Sequence, residues 1–166
     1  MEIIVRPPET LSWNTTQARC VIGRGGVTSN KKEGDSATPA GRFPLRRVMY
    51  RSDRRKPPFT GLPISPLGAD DGWCDEPGNA SYNQLIKLPF SASHEALWRA
   101  DNVYDVIVEL GYNDDPIIPG LGSAIFMHVA RPKYDSTEGC VALALEDLLT
   151  LLSQCDETAV LSVMMP

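Results

Sequence analysis

Ile125-Phe126-Met127-His128-Val129 and Cys140-Val141-Ala142-Leu143 are the two stretches on which the reading of this chain turns. Both are short, apolar and rich in β-branched or aromatic residues, and polar, Gly or Pro residues bound them. That pattern predicts strands. Working outward, 3–5, 18–23, 43–50, 85–88, 104–110 and 159–164 read as strands for the same reason. Fourteen prolines and thirteen glycines punctuate them. Two helices are predicted. One spans about 93–101, capped by Ser93. The other spans about 145–154, where Leu148, Leu149, Leu151 and Leu152 make an apolar stripe. The expected fold is mostly β with a few helices (α+β), as one domain over 1–166. Residues 51–83 are rich in Pro, Gly and Asp, and so long an irregular stretch predicts a substrate-facing excursion or lid.

The bulk composition narrows the function classes. With 166 residues and 42% hydrophobic content the chain can bury a full core. A net charge of −5 argues against a nucleic-acid partner. The basic run Arg46, Arg47, Arg51, Arg54, Arg55 and Lys56 reads as a solvated face or an anion contact. No apolar run is long enough to span a bilayer, so no membrane partner is expected. The first residues carry neither a basic n-region nor a signal-length apolar run. A cytoplasmic location is expected, or a periplasmic one if a leader has been removed. Cys20, Cys74, Cys140 and Cys155 form no close pairs, which disfavours zinc; no metal or organic cofactor is expected. Cys20 and Cys155 read as buried fillers.

The chemistry concentrates on one of only two histidines, His128, and on Cys140. A free thiol, with a pKa of roughly 8.5, is a weak nucleophile at neutral pH unless a base takes its proton. On adjacent strands, His128 and Cys140 come within hydrogen-bond reach, with 130–137 looping over their shared end. Gly139 lets the backbone turn sharply, and the N–H groups of Gly139 and Cys140 are candidate oxyanion donors. Thr137 orients the imidazole or closes the turn. Spacing alone supports equally a buried cysteine and a core histidine satisfied by a carbonyl. Tyr112 and Asn113 read as a pocket wall or an ordinary turn, and His94 as a surface residue at a helix start. Trp73 and Tyr82 read as substrate flanks or as anchors of the long excursion.

His128 followed by Thr137-Glu138-Gly139-Cys140-Val141 resembles the signature of the YkuD-type L,D-transpeptidase family: a histidine, then [Ser/Thr]-x-Gly-Cys and an aliphatic residue. Thr38-Pro39-Ala40-Gly41-Arg42-Phe43 is similar to that family's threonine-proline-x-glycine-x-phenylalanine hairpin. The resemblance implies a β-sandwich or barrel catalytic domain acting on an L,D-peptide bond of peptidoglycan stem peptides. It makes Cys140 the nucleophile and His128 the base, with Gly139 in the oxyanion turn and Thr137 as the motif hydroxyl. Where relatives carry Arg or Asn two residues after the cysteine, this chain has Ala142. Arg131 or Lys133 is then the substitute cation for a substrate carboxylate. The expected partners are peptidoglycan fragments, specifically tetrapeptide muropeptides. The expected activity is an L,D-carboxypeptidase releasing terminal D-Ala in cell-wall recycling. The alternatives are a crosslinking L,D-transpeptidase and an inactive muropeptide-binding module.

Overall fold

The computed structural model describes residues 1–166. In chain order the strands are β1 (Glu2–Arg6), β2 (Thr10–Trp13), β3 (Thr16–Val21), β4 (Val27–Thr28), β5 (Thr38–Pro39), β6 (Gly41–Tyr50), β7 (Ile64–Pro66), β8 (Asp71–Cys74), β9 (Leu85–Lys87), β10 (His94–Ala96), β11 (Val106–Leu110), β12 (Phe126–Val129) and β13 (Val141–Leu143). The helix α1 (Leu145–Leu152) and the strand β14 (Val160–Val163) complete the chain. The large sheet runs β11-β12-β13-β3-β2-β1-β14-β6-β7, and β6 also pairs with β11. That second pairing closes the sheet into a barrel, with β7 added outside on β6. Ten-residue β6 makes closure work: Gly41 to Pro44 pair with β14, and Leu45 to Tyr50 pair with β11.

Period-two alternation decides what fills the barrel. Ile3 and Val5, Leu11 and Trp13, Val106 and Val108, and Met127 and Val129 all point into one buried cluster. Cys20 and Cys155 are buried in it, as expected. The helix α1 carries Glu146 and Asp147 in its first turn, where the helix dipole favours acids. Its Leu148, Leu151 and Leu152 join the cluster, so one element beside the barrel supplies much of its packing.

The segment 93–101 is not helical. His94–Ala96 pairs with β8, and β8 with β9, in a three-stranded sheet. The excursion is therefore an ordered wall. Trp73 and Tyr82 are 4% and 2% exposed, which makes them anchors. Trp73 packs edge-on against Phe126 at 5.0 Å. The basic run has intramolecular work: Arg46 pairs with Asp114 and Arg47 with Glu109. Arg51 bonds Asp53 and the Arg99 carbonyl, and Arg54 bonds Asp105 and the Arg99, Ala100 and Asp101 carbonyls. Arg51 and Arg54 thus tie the start of the excursion to the segment 99–105.

Truncating Leu151, which is 0% exposed, leaves a cavity beneath α1. Leu151→Ala is expected to cost about 2–5 kcal/mol in urea unfolding with an unchanged m-value.

Candidate active site

The outward face of the same strands carries the chemistry. Met127 and Val129 point into the barrel, so Phe126 and His128 point out. Likewise Val141 and Leu143 point in, and Cys140 and Ala142 point out. Cys140 joins a second cluster with Phe126, Ile107, Tyr104, the excursion's Trp73 and Leu97 just after β10. The site lies between the barrel wall and the three-stranded sheet.

β12 and β13 are adjacent but parallel, with His128 opposite Ala142. They have no shared end, and the 130–140 connection travels back along the barrel. Cys140 therefore sits two residues short of the His128 level, about 6.6 Å along the strand. Its Sγ accepts the Phe126 N–H at 3.3 Å and donates to the Ala124 carbonyl at 3.2 Å, with no hydrogen bond to His128. His128 Nδ1 lies 3.0 Å from the Val129 carbonyl. A carbonyl only accepts, so Nδ1 carries the proton and Nε2 is the free base.

The turn before Cys140 is built by Thr137. Its hydroxyl donates to the Cys140 carbonyl at 2.6 Å and accepts the Gly139 N–H at 3.1 Å. Its backbone bridges Gly23 and bonds Ile22 and Arg24. The hydroxyl closes the turn and does not orient the imidazole. Because it takes the Gly139 N–H, that amide is no oxyanion donor; the Cys140 N–H is left for the role. Gly139 has φ +135°, and a Cβ there would stand 2.9 Å from the Ala37 carbonyl oxygen. At Gly23 a Cβ would stand 2.3 Å from the Ser36 carbonyl oxygen. The Thr38 hydroxyl accepts the Gly23 N–H at 2.8 Å, which ties the threonine-proline element to the cysteine turn. That element is not a hairpin: Thr38–Pro39 pairs parallel with β4 and runs through Gly41 into β6.

Burial sets the protonation states. It pushes the Cys140 thiol up to about 12, aided by the Glu95 charge and opposed by the Phe126 N–H and Lys31. Burial also lowers His128 to about 4, with the Val129 carbonyl opposing it and Arg131 and Arg99 adding to it. Without substrate the pair is therefore a neutral thiol and a neutral imidazole.

Cys140 and His128 line an open cleft of about 450 Å³. Arg131 stands on its rim, exposed and unpaired. Lys133 is exposed and does not line it. Tyr112 and Asn113 do not line it either: the Tyr112 hydroxyl donates to the Leu121 carbonyl, and Asn113 bonds Ile118 and Gly122. They brace the 113–122 loop, whose turned backbone needs local partners. His94 belongs to a strand and lines the cleft.

Several contributors carry no sequence signal. Asn83 accepts the Trp73 Nε1–H and the Ala124 N–H, both at 3.0 Å, and so fixes the carbonyl that holds the thiol. Lys31 is 7% exposed, lines the cleft and pairs with Asp35 at 2.6 Å. Ser36, Asn83 and Ala124 all have positive φ around the site, a concentration of backbone strain that marks functional regions.

A thiol at the floor of an open cleft, beside an imidazole whose tautomer is fixed, defines a cysteine-dependent acyl-transfer enzyme. The family model for the L,D-transpeptidase catalytic domain, YkuD, matches residues 2–163, and the chain belongs to that family. It is thus an enzyme of the cysteine L,D-transpeptidase family, acting on peptidoglycan. Among curated proteins none matches the chain.

The lowered His128 has a stability consequence. Its ordinary value is 6.5 and its folded value about 4, so between these the unfolded chain binds a proton that the folded chain does not. Acidification across that window favours unfolding. Relative to His128→Gln, the wild type is expected to lose about 3 kcal/mol between pH 7 and pH 4 in urea titrations. A difference that stays constant with pH would contradict the neutral buried imidazole.

Proposed function

We propose that the protein is an L,D-carboxypeptidase that removes the terminal D-Ala from tetrapeptide muropeptides during cell-wall recycling. The observation that carries this reading is the unpaired Arg131 guanidinium. Along β12 the order is Cys140 (level with Phe126), then His128, then Arg131 past the strand end. The imidazole that takes the thiol proton must later give it to the leaving amine, so the leaving group lies on the His128 side of the sulfur. A terminal D-Ala placed there presents its carboxylate to Arg131, which suits a guanidinium fork.

In this reading Cys140 Sγ turns from the Ala124 carbonyl and attacks the carbonyl carbon of the L,D-peptide bond. Its proton passes to His128 Nε2, and the Cys140 N–H faces the developing oxyanion. The tetrahedral intermediate collapses with cleavage of the C–N bond. The His128 proton goes to the departing amine, and D-Ala leaves. Water then attacks the thioester, gives its proton to His128 and releases the shortened stem peptide; the proton returns to sulfur. A cleft of about 450 Å³ lies low in the range of single-ligand sites, roughly 300–1,000 Å³, and suits one peptide end. Ala142, 1% exposed on the same face as His128, adds no polar group for a second peptide.

Crosslinking is the second reading. A separate hollow of about 570 Å³ shares Val103 and Arg131 with the cleft, giving room for an acceptor peptide. Mass spectrometry of disaccharide-tetrapeptide reactions separates the two. Disaccharide-tripeptide and free D-Ala are expected, lost completely in Cys140→Ala. Dimers or D-amino-acid exchange as the main product would overturn the hydrolytic reading. Binding without turnover, unaffected by Cys140→Ala, would leave an inactive module. Arg131→Ala is expected to raise KM about tenfold or more with a smaller change in kcat, the loss of a charge-assisted contact; unchanged kinetics would remove Arg131 from the site.

A further inference from the structure

We infer that Tyr104 is a positioning residue for His128, tethered by Glu95, and that this pair holds the imidazole still while the thiol turns toward it. The inference rests on the thiol–imidazole reading above.

His128 is held by one hydrogen bond, to the carbonyl of the next residue on its own strand. That bond chooses the tautomer but leaves the ring room to rock about it. On the β13 flank stands only the Ala142 methyl. On the β11 flank Ile107 stands opposite His128; the aromatic contact is Tyr104, whose ring meets the imidazole edge-on, with centroids 5.3 Å apart and planes at 80°. Such edge-to-face pairs hold aromatic rings in defined relative orientations.

Tyr104 is itself fixed from four directions. Its hydroxyl donates to Glu95 Oε1 at 2.7 Å, and the Arg99 guanidinium lies 5.3 Å from its ring centroid. Phe126 packs edge-on at 6.2 Å. The Val129 N–H donates to the carbonyl of the preceding residue, Val103, so the Tyr104 backbone is fastened beside His128's own strand. Glu95 sits on β10, paired opposite Trp73, so the excursion reaches the base through this one carboxylate.

The thiol starts on the Ala124 carbonyl and not on His128. Proton transfer therefore needs a sulfur that moves and an imidazole that does not.

The protein has only two histidines, so ¹⁵N-imidazole NMR resolves His128 directly. Site-specific alkylation of Cys140 by iodoacetamide at pH 7, read by peptide mass mapping, reports thiol activation without any peptidoglycan substrate. The wild type is expected to show a single Nδ1–H tautomer. Tyr104→Leu is expected to give mixed tautomers and to slow alkylation about tenfold. Tyr104→Phe and Glu95→Ala keep the ring but cut its tether, and fall about threefold. His128→Gln falls about a hundredfold. A single tautomer and wild-type alkylation in folded Tyr104→Leu overturn the inference. Should that variant not fold, wild-type behaviour of both Tyr104→Phe and Glu95→Ala overturns it. Wild-type alkylation in His128→Gln is a separate result, and sinks the base assignment as well.

Discussion

The contact on which the site depends is the one the threonine-proline element makes with the cysteine turn and with the end of β3. Gly139 stands against the Ala37 carbonyl and Gly23 against the Ser36 carbonyl, at distances that admit no Cβ. Thr38 and Thr137 fasten this contact from its two sides. It fixes where Cys140 leaves the turn and enters β13. That in turn fixes which face of the barrel carries sulfur and which carries Val141 and Leu143. A one-residue slip would put the thiol into the barrel core and a valine into the cleft.

From this constraint the division of labour follows. The inward face of β12 and β13 contributes to stability, and the outward face contributes chemistry. The excursion covers the outward face with its own small sheet, and Trp73 seals it against Phe126. The cover leaves sulfur and imidazole only a narrow exposure at the cleft, and burial leads the causes of both shifts. The resting enzyme holds a neutral pair; in the proposed mechanism activation is a local rotation of sulfur toward Nε2, and its rate depends on how firmly His128 is held.

Much of this was legible in the sequence. Short β-branched and aromatic runs bounded by turn residues place most of the barrel strands, and the α1 leucine stripe places the helix. Cys140, Gly139 and Thr137 share one turn, and His128 lines the same cleft, but the expected hydrogen bond between His128 and Cys140 is absent because the thiol is taken by Ala124 and Phe126. What failed did so for physical reasons. Residues 93–101 carry helix-compatible composition, yet β8 offers a partner that propensity does not register. The parallel sense of β12 and β13 was invisible, because a short connection suggests antiparallel pairing. Tyr112 and Asn113 looked like a pocket wall because polar strand ends often are; here the loop's own carbonyls claim them. Asn83, Glu95 and Lys31 could not be found, since contacts distant along the chain give each its place. Closure of the sheet through β6 and β11 is also a tertiary fact with no local signature.

The central claim is that Cys140 carries the acyl group during turnover. Acid-quenching the enzyme during reaction with disaccharide-tetrapeptide and mapping its cysteine peptides tests this directly. The account predicts an adduct on the Cys140 peptide alone, equal in mass to the substrate less D-Ala, with Cys20, Cys74 and Cys155 unmodified. Release of D-Ala with the adduct on another residue, or with Cys140 free throughout turnover, would contradict it.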